Sequence, residues 1–512
     1  MKKKAVLFSK IIILCVVACL YVLYLSKIVR ATAINSDYSS LILEASDIIH
    51  GNIFLKGWNL TGISFITTDV PAFIVGVLIK GVDQSAYGIA VAIMIVLLNI
   101  AGLLICKKDG ESKVPVILFL LLVLLPATFA PVALCAHTMS SAFSLFSIGI
   151  VDRWLKSKKI SALQGVLFVA LLCFACCGDS VALIVGVLPI ICYCIFELVK
   201  KDAVDRLFIG KILGLTMLGT VLGSVLDKVY FLIGGANKNS FLSEKTFVGL
   251  ADLGDKLQVY VQAVFMLFGA EFWNRKLISL FTANYAVNTL FLILGLILVI
   301  VCFVRFIKGV ETDFVSGVLS FGIVVISLVF ILTDISVDIL SSRYMAYFTV
   351  AFPVLITRNL DGITGHLKYR EMAVLNVLIL MAMISFVFKV HIWSHTGEAV
   401  AQQELLAEYL EENGLESGYA EFWDASSTVV LSNGNVSVRS VIYDPGANSI
   451  TRYNWFCKDE WFSEPANFVV TNEESILGMT KENVLSALGE PAETLEFYDW
   501  SILVYDKNIQ IE

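Results

Sequence analysis

Long apolar runs separated by short polar segments recur through the first 390 residues of this chain. A helix needs roughly 20 apolar residues to cross a bilayer. The chain is 58% hydrophobic and 16% charged, which leaves too little polar surface for a soluble globule of 512 residues. The pattern therefore predicts a polytopic α-helical membrane protein with about 11 spans. The candidate spans lie near residues 6–26, 86–106, 114–130, 132–151, 161–177, 180–199, 207–231, 284–304, 314–333, 344–357 and 371–390.

Basic residues fall in alternate loops between these spans, for example Lys107/Lys108, Arg305/Lys308 and Arg358. Loops rich in lysine and arginine stay in the cytoplasm. The N-terminus is thus predicted to be cytoplasmic. The basic head and apolar run at the start resemble a signal peptide, but no small-residue cleavage site follows convincingly, so we interpret them as a retained first helix. We expect a multi-pass membrane protein.

The last part of the chain differs sharply in charge. Residues 391–512 carry 21 acidic and 5 basic side chains, whereas residues 1–390 carry 23 and 32. We divide the chain into a transmembrane domain, 1–390, and a soluble extracytoplasmic α/β domain, 391–512. The acidity argues against nucleic-acid binding. Its predicted elements are a helix over 397–413, a hairpin over 427–443 turning at Asn433-Gly434, a strand over 467–472, a helix over 480–489 and a strand over 500–506.

The two longest outer loops, 27–85 and 232–283, contain amphipathic stretches. In residues 37–55 the apolar side chains recur at helical spacing, and residues 252–269 behave similarly. The pattern predicts helices that lie at the membrane interface.

Three acids in the first outer loop are candidates for chemistry: Asp37, Glu44 and Asp69. A carboxylate at a membrane face can deprotonate an incoming hydroxyl or bind a cation. The alternative is structural, since Asp37 precedes an amphipathic run and Asp69 precedes Pro71, which are both good helix-capping positions.

Further candidates lie where later spans meet the outside. Arg343 and Tyr344 open the tenth span, and a lone arginine on the base-poor side calls for an anionic partner such as a lipid phosphate. The alternative partners are Asp334 and Asp338. His137 and Asp179 also lie near outer helix ends, where polar groups tend to face a cavity.

Several familiar sites are absent from the sequence: a P-loop, a dinucleotide-binding glycine pattern, paired-cysteine zinc spacing and a nucleophile elbow. Cys173, Cys176 and Cys177 lie in an apolar run, where small thiols usually serve in packing. We predict no structural metal.

The order of these features resembles the GT-C superfamily of membrane glycosyltransferases, in particular bacterial relatives of protein O-mannosyltransferases and of the lipid A aminoarabinose transferase. The matching stretches are NSDYSSLILEASDIIHGN after the first span, TTDVPAFIVGVLIK at the end of the first outer loop, and Arg343-Tyr344 followed by Pro353. Tyr38 stands where many members have a second acid, and His137 stands where an acid is frequent.

The resemblance implies transfer of a sugar from a polyprenyl-phosphate donor to a glycan, lipid or protein acceptor, with inversion at the anomeric carbon. Together with the basic N-terminus, it also implies a bacterial plasma membrane. Asp37 would be the general base, and Arg343 with Tyr344 would hold the lipid phosphate. Asp69 would orient the acceptor or bind a divalent cation. His137, Asp179 and Glu44 would contact substrate.

Two other functions remain open from the sequence. A transporter or flippase would place polar residues near the bilayer midplane or in repeated halves, and neither pattern is present. A non-catalytic assembly protein of the cell envelope would use its tail to bind a polymer or a partner. Retained activity in Asp37→Asn would favour that second alternative.

Overall fold

The structure is a computed structural model that describes residues 2–108, 113–199, 206–233, 236–238, 246–273, 275–310, 313–360, 363 and 368–511. In this part of the chain, residues up to His395 are almost entirely helical and the last 110 or so residues form a mixed sheet with helices.

The helical part follows the apolar runs. Its helices are α1 Lys2–Val29, α2 Ser36–Ile49, α3 Val70–Lys80, α4 Gln84–Ile105, α5 Val114–Val123, α6 Ala130–Ala133, α7 Thr138–Ser157, α8 Ala162–Gly178, α9 Leu188–Val199, α10 Arg206–Leu232, α11 Leu253–Leu267, α12 Leu280–Ile307, α13 Phe314–Leu332, α14 Phe348–Arg358 and α15 Lys368–His395. A π-helical turn, Leu183–Val187, precedes α9, and a 3-10 helix, Ile339–Met345, precedes α14.

Within the described residues, five helices are long and apolar enough to cross a membrane: α4, α10, α12, α13 and the segment Met372–His395 of α15. The 3-10 helix and α14 meet at 51° and count as a sixth span if the bent pair is taken as one. Several other apolar helices are shorter, among them Cys15–Val29 and Ala162–Gly178. The membrane character predicted from the sequence is therefore supported, while the count of eleven spans stays a prediction.

One predicted span, 114–130, differs from the structure in an informative way. Helix α5 ends at Val123, and the chain continues as a non-helical segment to α6. Four carbonyl groups around this early end accept side-chain hydrogen bonds. The donors are Lys389 Nζ to Leu122 O at 3.2 Å, Asn99 Nδ2 to Val123 O at 3.2 Å, Tyr21 Oη to Leu124 O at 2.6 Å and Trp393 Nε1 to Pro126 O at 3.0 Å. Backbone groups in lipid must be satisfied inside the protein, so these polar side chains permit the break.

A buried arginine holds the helices together at one end of the bundle. Arg358, at the end of α14, donates to both carboxylate oxygens of Asp313 and to the carbonyls of Ile105 and Lys107 at 2.8 and 2.9 Å. Its side chain is fully buried. A guanidinium in such a place is stable because all its donors have partners.

The two outer-loop helices are present as predicted. Helix α2 covers most of the first amphipathic stretch, and its N-cap is Asn35, whose side chain accepts from Tyr38 N. Helix α11 covers the second stretch. The face of α2 that carries Tyr38, Leu41 and Ile42 is buried in the main core.

The remaining residues form a six-stranded sheet with strand order β5-β4-β3-β7-β9-β8. The strands are β3 Ser417–Ala420, β4 Ser437–Asp444, β5 Ser449–Arg452, β7 Ala466–Asn472, β8 Glu493–Phe497 and β9 Trp500–Ile509, and the helices are α16 Gln402–Glu412, α17 Phe422–Leu431 and α18 Lys481–Leu488. Strand β3 is parallel to both β4 and β7. The α/β class predicted for the tail domain, residues 391–512, agrees with this sheet.

The predicted hairpin over 427–443 is wrong. Its first half lies in helix α17, and only its second half is a strand, β4. Asn433 and Gly434, both with positive φ, end the helix instead of joining two strands. The run STVVL is rich in β-branched residues, which favour strands. However, Trp423, Ser427 and Leu431 recur at helical spacing, and the helix packs on the sheet and on α2. These tertiary contacts stabilise the helix.

The tail domain is docked on the first outer loop. Strand β1, Trp58–Leu60, lies between β2, Asn237–Lys238, and β6, Cys457–Lys458. Two charged or polar contacts reinforce this small sheet: Lys458 Nζ lies 3.2 Å from Asp47 Oδ1, and Asn59 Nδ2 donates to Asp459 Oδ1 at 2.7 Å.

Candidate functional site

Asp37 and Arg343 form an ion pair although α2 and the 3-10 helix are far apart in sequence. Arg343 NH1 donates to Asp37 Oδ2 at 3.0 Å. The Asp37 side chain is 15% exposed and the Arg343 side chain 29% exposed. The two residues that the sequence singled out as base and phosphate ligand are therefore neighbours, and both remain within reach of solvent.

The structural alternatives for these residues are resolved by the contacts. Asp37 is not the cap of α2, because Asn35 holds that position. Asp338 caps the 3-10 helix through Leu340 N and Ser341 N, and Asp334 accepts from Thr246. Neither of the two predicted alternative partners pairs with Arg343.

Tyr344 links this pair to a second buried group. The Arg343 guanidinium lies 5.8 Å from the centre of the Tyr344 ring, and that ring lies 4.6 Å from the ring of His137. His137 Nδ1 is 2.9 Å from Asp179 Oδ2, and Ser140 Oγ donates to the same oxygen at 2.5 Å. Nothing in the sequence pattern had indicated Ser140, which lies one turn from His137 on α7.

Asp69 does cap a helix, but not the one that follows it. It occupies the N-terminal position of α3 without a side-chain capping bond there. Its two oxygens instead accept from His137 N at 2.9 Å and Met139 N at 3.1 Å, at the start of α7. His137 has a left-handed backbone with φ of 59°, which a non-glycine residue rarely adopts. Asp69 thus holds α7 in the position that presents the His137 ring.

Burial sets the charge state of the two acids around His137. Burial, reinforced by the nearby Asp179 carboxylate, raises the pKa of Asp69 to about 7. Asp179 is equally buried, which alone raises the pKa, but His137, Ser140 and Val181 N stabilise its carboxylate and leave the pKa below the usual value. Asp179 therefore stays ionised at neutral pH.

Six predicted residues form one connected group, the polar cluster: Asp37, Asp69, His137, Asp179, Arg343 and Tyr344. Its residues lie at the N-terminal ends of α2, α3 and α7, at the end of α8 and in the 3-10 helix. Arg358 lies at the other end of the bundle beside Asp152 of α7, 3.7 Å away. Fifteen residues of helix separate His137 from Asp152, or roughly 22 Å.

Glu44 stands apart from the polar cluster. It lies seven residues after Asp37 and hence on the same face of α2, about 10 Å along the helix. It is fully buried, and neither carboxylate oxygen has a hydrogen-bond partner among the residues that the structure describes. Burial raises the pKa of Glu44 well above its usual range, because burial disfavours the charged carboxylate.

An aromatic group of the tail domain, missed by the sequence reasoning, adjoins Asp37. It consists of Phe422, Trp423 and Tyr453, with ring centres 5.2 Å apart for the first pair and 5.8 Å for Phe422 and Tyr453. Ser36 Oγ donates to Trp423 O at 3.0 Å. The aromatic-rich stretches EFW and RYNWF were the available signal in the sequence.

Two cavities lie in the helical part, away from the polar cluster. One, of about 60 Å³, borders Asn99, Asn288, Ser385 and Lys389. The other, of about 330 Å³, is an apolar groove among α4, α7 and α8 with Arg153 on its wall. Within the described residues, no group of three or more His, Cys, Asp or Glu side chains is arranged to hold a metal ion.

The chain was also compared with known proteins. No family model matches it, and no curated protein matches it. The site must therefore be interpreted from its own geometry.

Proposed function

We propose that this protein is a membrane glycosyltransferase of the GT-C kind, which moves a sugar from a polyprenyl-phosphate donor to an acceptor hydroxyl at the outer membrane face. The observation that carries the proposal is the contact between Asp37 and Arg343 within the polar cluster. The reaction needs a proton acceptor beside a phosphate-binding cation, because one bond forms to the sugar as the bond to phosphate breaks.

The ion pair supports a specific order of events. A guanidinium binds phosphate through several donors, so the donor phosphate competes with Asp37 for Arg343. Asp37 then loses its partner, and its carboxylate is free to accept a hydrogen bond from the acceptor hydroxyl. The acceptor oxygen attacks the anomeric carbon from the face opposite the phosphate and its proton passes to Asp37. The bond from the anomeric carbon to the phosphate oxygen breaks, and the electron pair stays on that oxygen. Arg343 binds the lipid phosphate as it leaves. The configuration is inverted.

The contrast between two arginines supports this role for Arg343. Arg358 is fully buried and its donors are bound to Asp313 and to backbone carbonyls. Arg343 is 29% exposed, and its ion pair among the described residues is with Asp37 alone. A guanidinium with accessible donors can take a ligand without losing a network that holds the fold together.

The positions of the polar groups also support an interfacial enzyme. The polar cluster and the Arg358 network lie at opposite ends of α7 and of the bent α14 pair. Helix α4 is 22 residues long, about 33 Å, which matches the hydrocarbon thickness. A lipid-linked sugar presents its reactive carbon at such an interface. The outer face is the side expected from the distribution of basic loops.

A second candidate is a non-catalytic assembly protein of the cell envelope. The ion pair between Asp37 and Arg343 is compatible with this function as well, because a purely structural pair would have the same geometry. The acidic tail domain, with 21 acids against 5 bases, would then be the part that binds a polymer or a partner.

Transfer of radiolabelled sugar from a polyprenyl-phosphate-sugar pool into membrane and envelope material separates these candidates. Wild type is compared with Asp37→Asn at equal expression, with Asp499→Asn, an exposed acid of the tail domain, as the matched control. We expect transfer by wild type and the control and at least a hundredfold loss in Asp37→Asn. Equal transfer by all three proteins excludes Asp37 as the base, and no transfer by any of them excludes the donor class tested.

A further inference from the structure

Ser36, the neighbour of Asp37, contacts the tail domain. Its hydroxyl bonds to the Trp423 carbonyl, and it also lies 3.2 Å from Ser427 Oγ. One turn later, Ser40 Oγ and Ser426 Oγ are 3.1 Å apart. Helix α17 of the tail domain therefore packs directly on the turn of α2 that carries Asp37.

The aromatic group defined above lies at this contact. Trp423 and Tyr453 are only partly buried, and they pack against the core that contains Tyr38 and Leu41. Burial and the nearby Asp37 carboxylate both raise the pKa of Tyr453, which places the phenol in the electrostatic field of Asp37. The phenol is neutral at pH 7 and keeps its proton for a hydrogen bond.

The loop that carries Tyr453 has a strained backbone. It joins β5 to β6, and Trp455 N donates back to Tyr453 O at 2.8 Å. Phe456 has φ of 47°, in the left-handed region that a bulky aromatic residue seldom occupies. Strain of this kind is concentrated at sites that clamp ligands. Here Phe456 directly precedes strand β6, which pairs with Trp58 and Asn59 of the first outer loop.

We propose that the aromatic group is the acceptor subsite, and that it binds a neutral glycan. A pyranose ring offers a flat apolar C–H face that packs on an aromatic ring, and hydroxyl groups that bond to a phenol and to carboxylates. Amphipathic rings such as Tyr and Trp suit a site that is half apolar and half wet. The tail domain carries 21 acids against 5 bases, so its field opposes an anionic polymer.

The term acceptor rests on the proposed transfer reaction, but glycan binding does not. Binding of a neutral glycan to this surface requires no donor and no turnover. Failure of one proposal is therefore distinguishable from failure of the other.

The test measures glycan binding by saturation-transfer NMR on the full chain in lipid nanodiscs, without donor. The probes are maltotetraose, cellotetraose and chitotetraose, with tetragalacturonate as the charged probe. The variants are Tyr453→Ala, which removes the ring, and Tyr453→Phe, which keeps it. Tyr498→Ala is the matched control, because Tyr498 is a tail-domain tyrosine that is 77% exposed.

We expect at least one neutral probe to bind wild type, Tyr453→Phe and Tyr498→Ala, and to bind Tyr453→Ala roughly tenfold or more weakly. Trp423→Phe, which keeps a ring, should retain binding and serves where an alanine variant fails to fold. The inference is wrong if no neutral probe binds wild type, if Tyr453→Ala binds as wild type does, or if tetragalacturonate binds as well as the neutral probes. If binding follows the expectation but labelled sugar is not transferred, the glycan subsite stands and the transferase proposal fails.

Discussion

Asp37 and Arg343 are 306 residues apart in the chain, and their side chains meet at 3.0 Å. The pair joins the first outer loop to the bent α14 segment at the place where the tail domain is docked. In the proposed reaction, the donor phosphate would replace Asp37 as the partner of Arg343. The acceptor hydroxyl would replace Arg343 as the partner of Asp37. The pair therefore connects the structure of the resting protein to the proposed chemistry.

Exchanging the two charges separates structure from catalysis. In the double variant Asp37→Arg and Arg343→Asp the ion pair is restored with reversed polarity, so we expect thermal stability near that of wild type and no sugar transfer. Each single variant leaves one charge without its partner, and we expect a lower Tm. Differential scanning fluorimetry in detergent and the labelled-sugar assay provide the two measurements. Transfer by the double variant would show that the positions of the two charges do not matter for activity.

Removing the guanidinium should weaken donor binding. We expect Arg343→Gln to raise the KM for the polyprenyl-phosphate sugar by roughly a hundredfold, because a charge-assisted bidentate contact is lost. Arg343→Lys keeps the charge without the planar fork and should give an intermediate value. Steady-state kinetics with varied donor provide the test, and an unchanged KM in Arg343→Gln would remove Arg343 from the donor site.

The buried acid beside His137 should matter for stability. His137 and Ser140 contact Oδ2 of Asp179, and Val181 N donates to Oδ1. The amide of Asp179→Asn has only one oxygen, so it cannot accept from both groups of partners. One of these contacts is lost, and we expect the free energy of unfolding to fall by about 2 kcal/mol. Chemical unfolding of the purified protein measures this. The exposed Asp499→Asn serves as control, and a stability equal to the control would show that the Asp179 contacts are weak.

Asp69 should make stability depend on pH in the opposite direction from most acids. An unfolded Asp ionises near 3.8, whereas the pKa of folded Asp69 is about 7. Between these values the folded state holds a proton that the unfolded state has lost, so this group lowers stability as pH rises from about 4 to 7, by roughly 1.4 kcal/mol per unit at most. Above about pH 7 both states are ionised and the effect is constant.

The check is the difference in Tm between wild type and Asp69→Asn across pH 4.5 to 8. We expect the wild-type Tm to fall relative to that of Asp69→Asn as pH rises to about 7, and to run parallel above it. A parallel course throughout would show that Asp69 is ionised in the folded protein at all these values.

The docked position of the tail domain can be trapped covalently. Because Ser40 Oγ and Ser426 Oγ are 3.1 Å apart, we expect the pair Ser40→Cys and Ser426→Cys to form a disulfide on mild oxidation. A protease site placed after Thr396 then allows a gel assay, in which the tail stays attached only when the bond has formed. Ser40→Cys with Tyr498→Cys is the control pair, and equal cross-linking of both pairs would indicate random collision.

The sequence anticipated long apolar helices, helices within residues 37–55 and 252–269, and the α/β class of the tail, because these follow from local apolar spacing. It did not anticipate the early end of α5 at Val123, since the polar side chains that satisfy the free carbonyls come from α1, α4 and α15. It also misassigned residues 427–431, where contacts with α2 and the sheet favour a helix over β-branched propensity.

The amino-acid sequence by itself determined which side chains are available for chemistry and near which helix ends they lie. The reason is that the spacing of apolar residues and the signals that end a helix are local properties of the chain. Only the tertiary structure decided which of them meet: Asp37 with Arg343, Asp69 with the start of α7, and the aromatic group of the tail with Ser36. The physical reason is that packing in three dimensions chooses among many chemically reasonable partners. Two acids, Asp334 and Asp338, lie near Arg343 in the sequence, but in the fold Arg343 pairs with the distant Asp37.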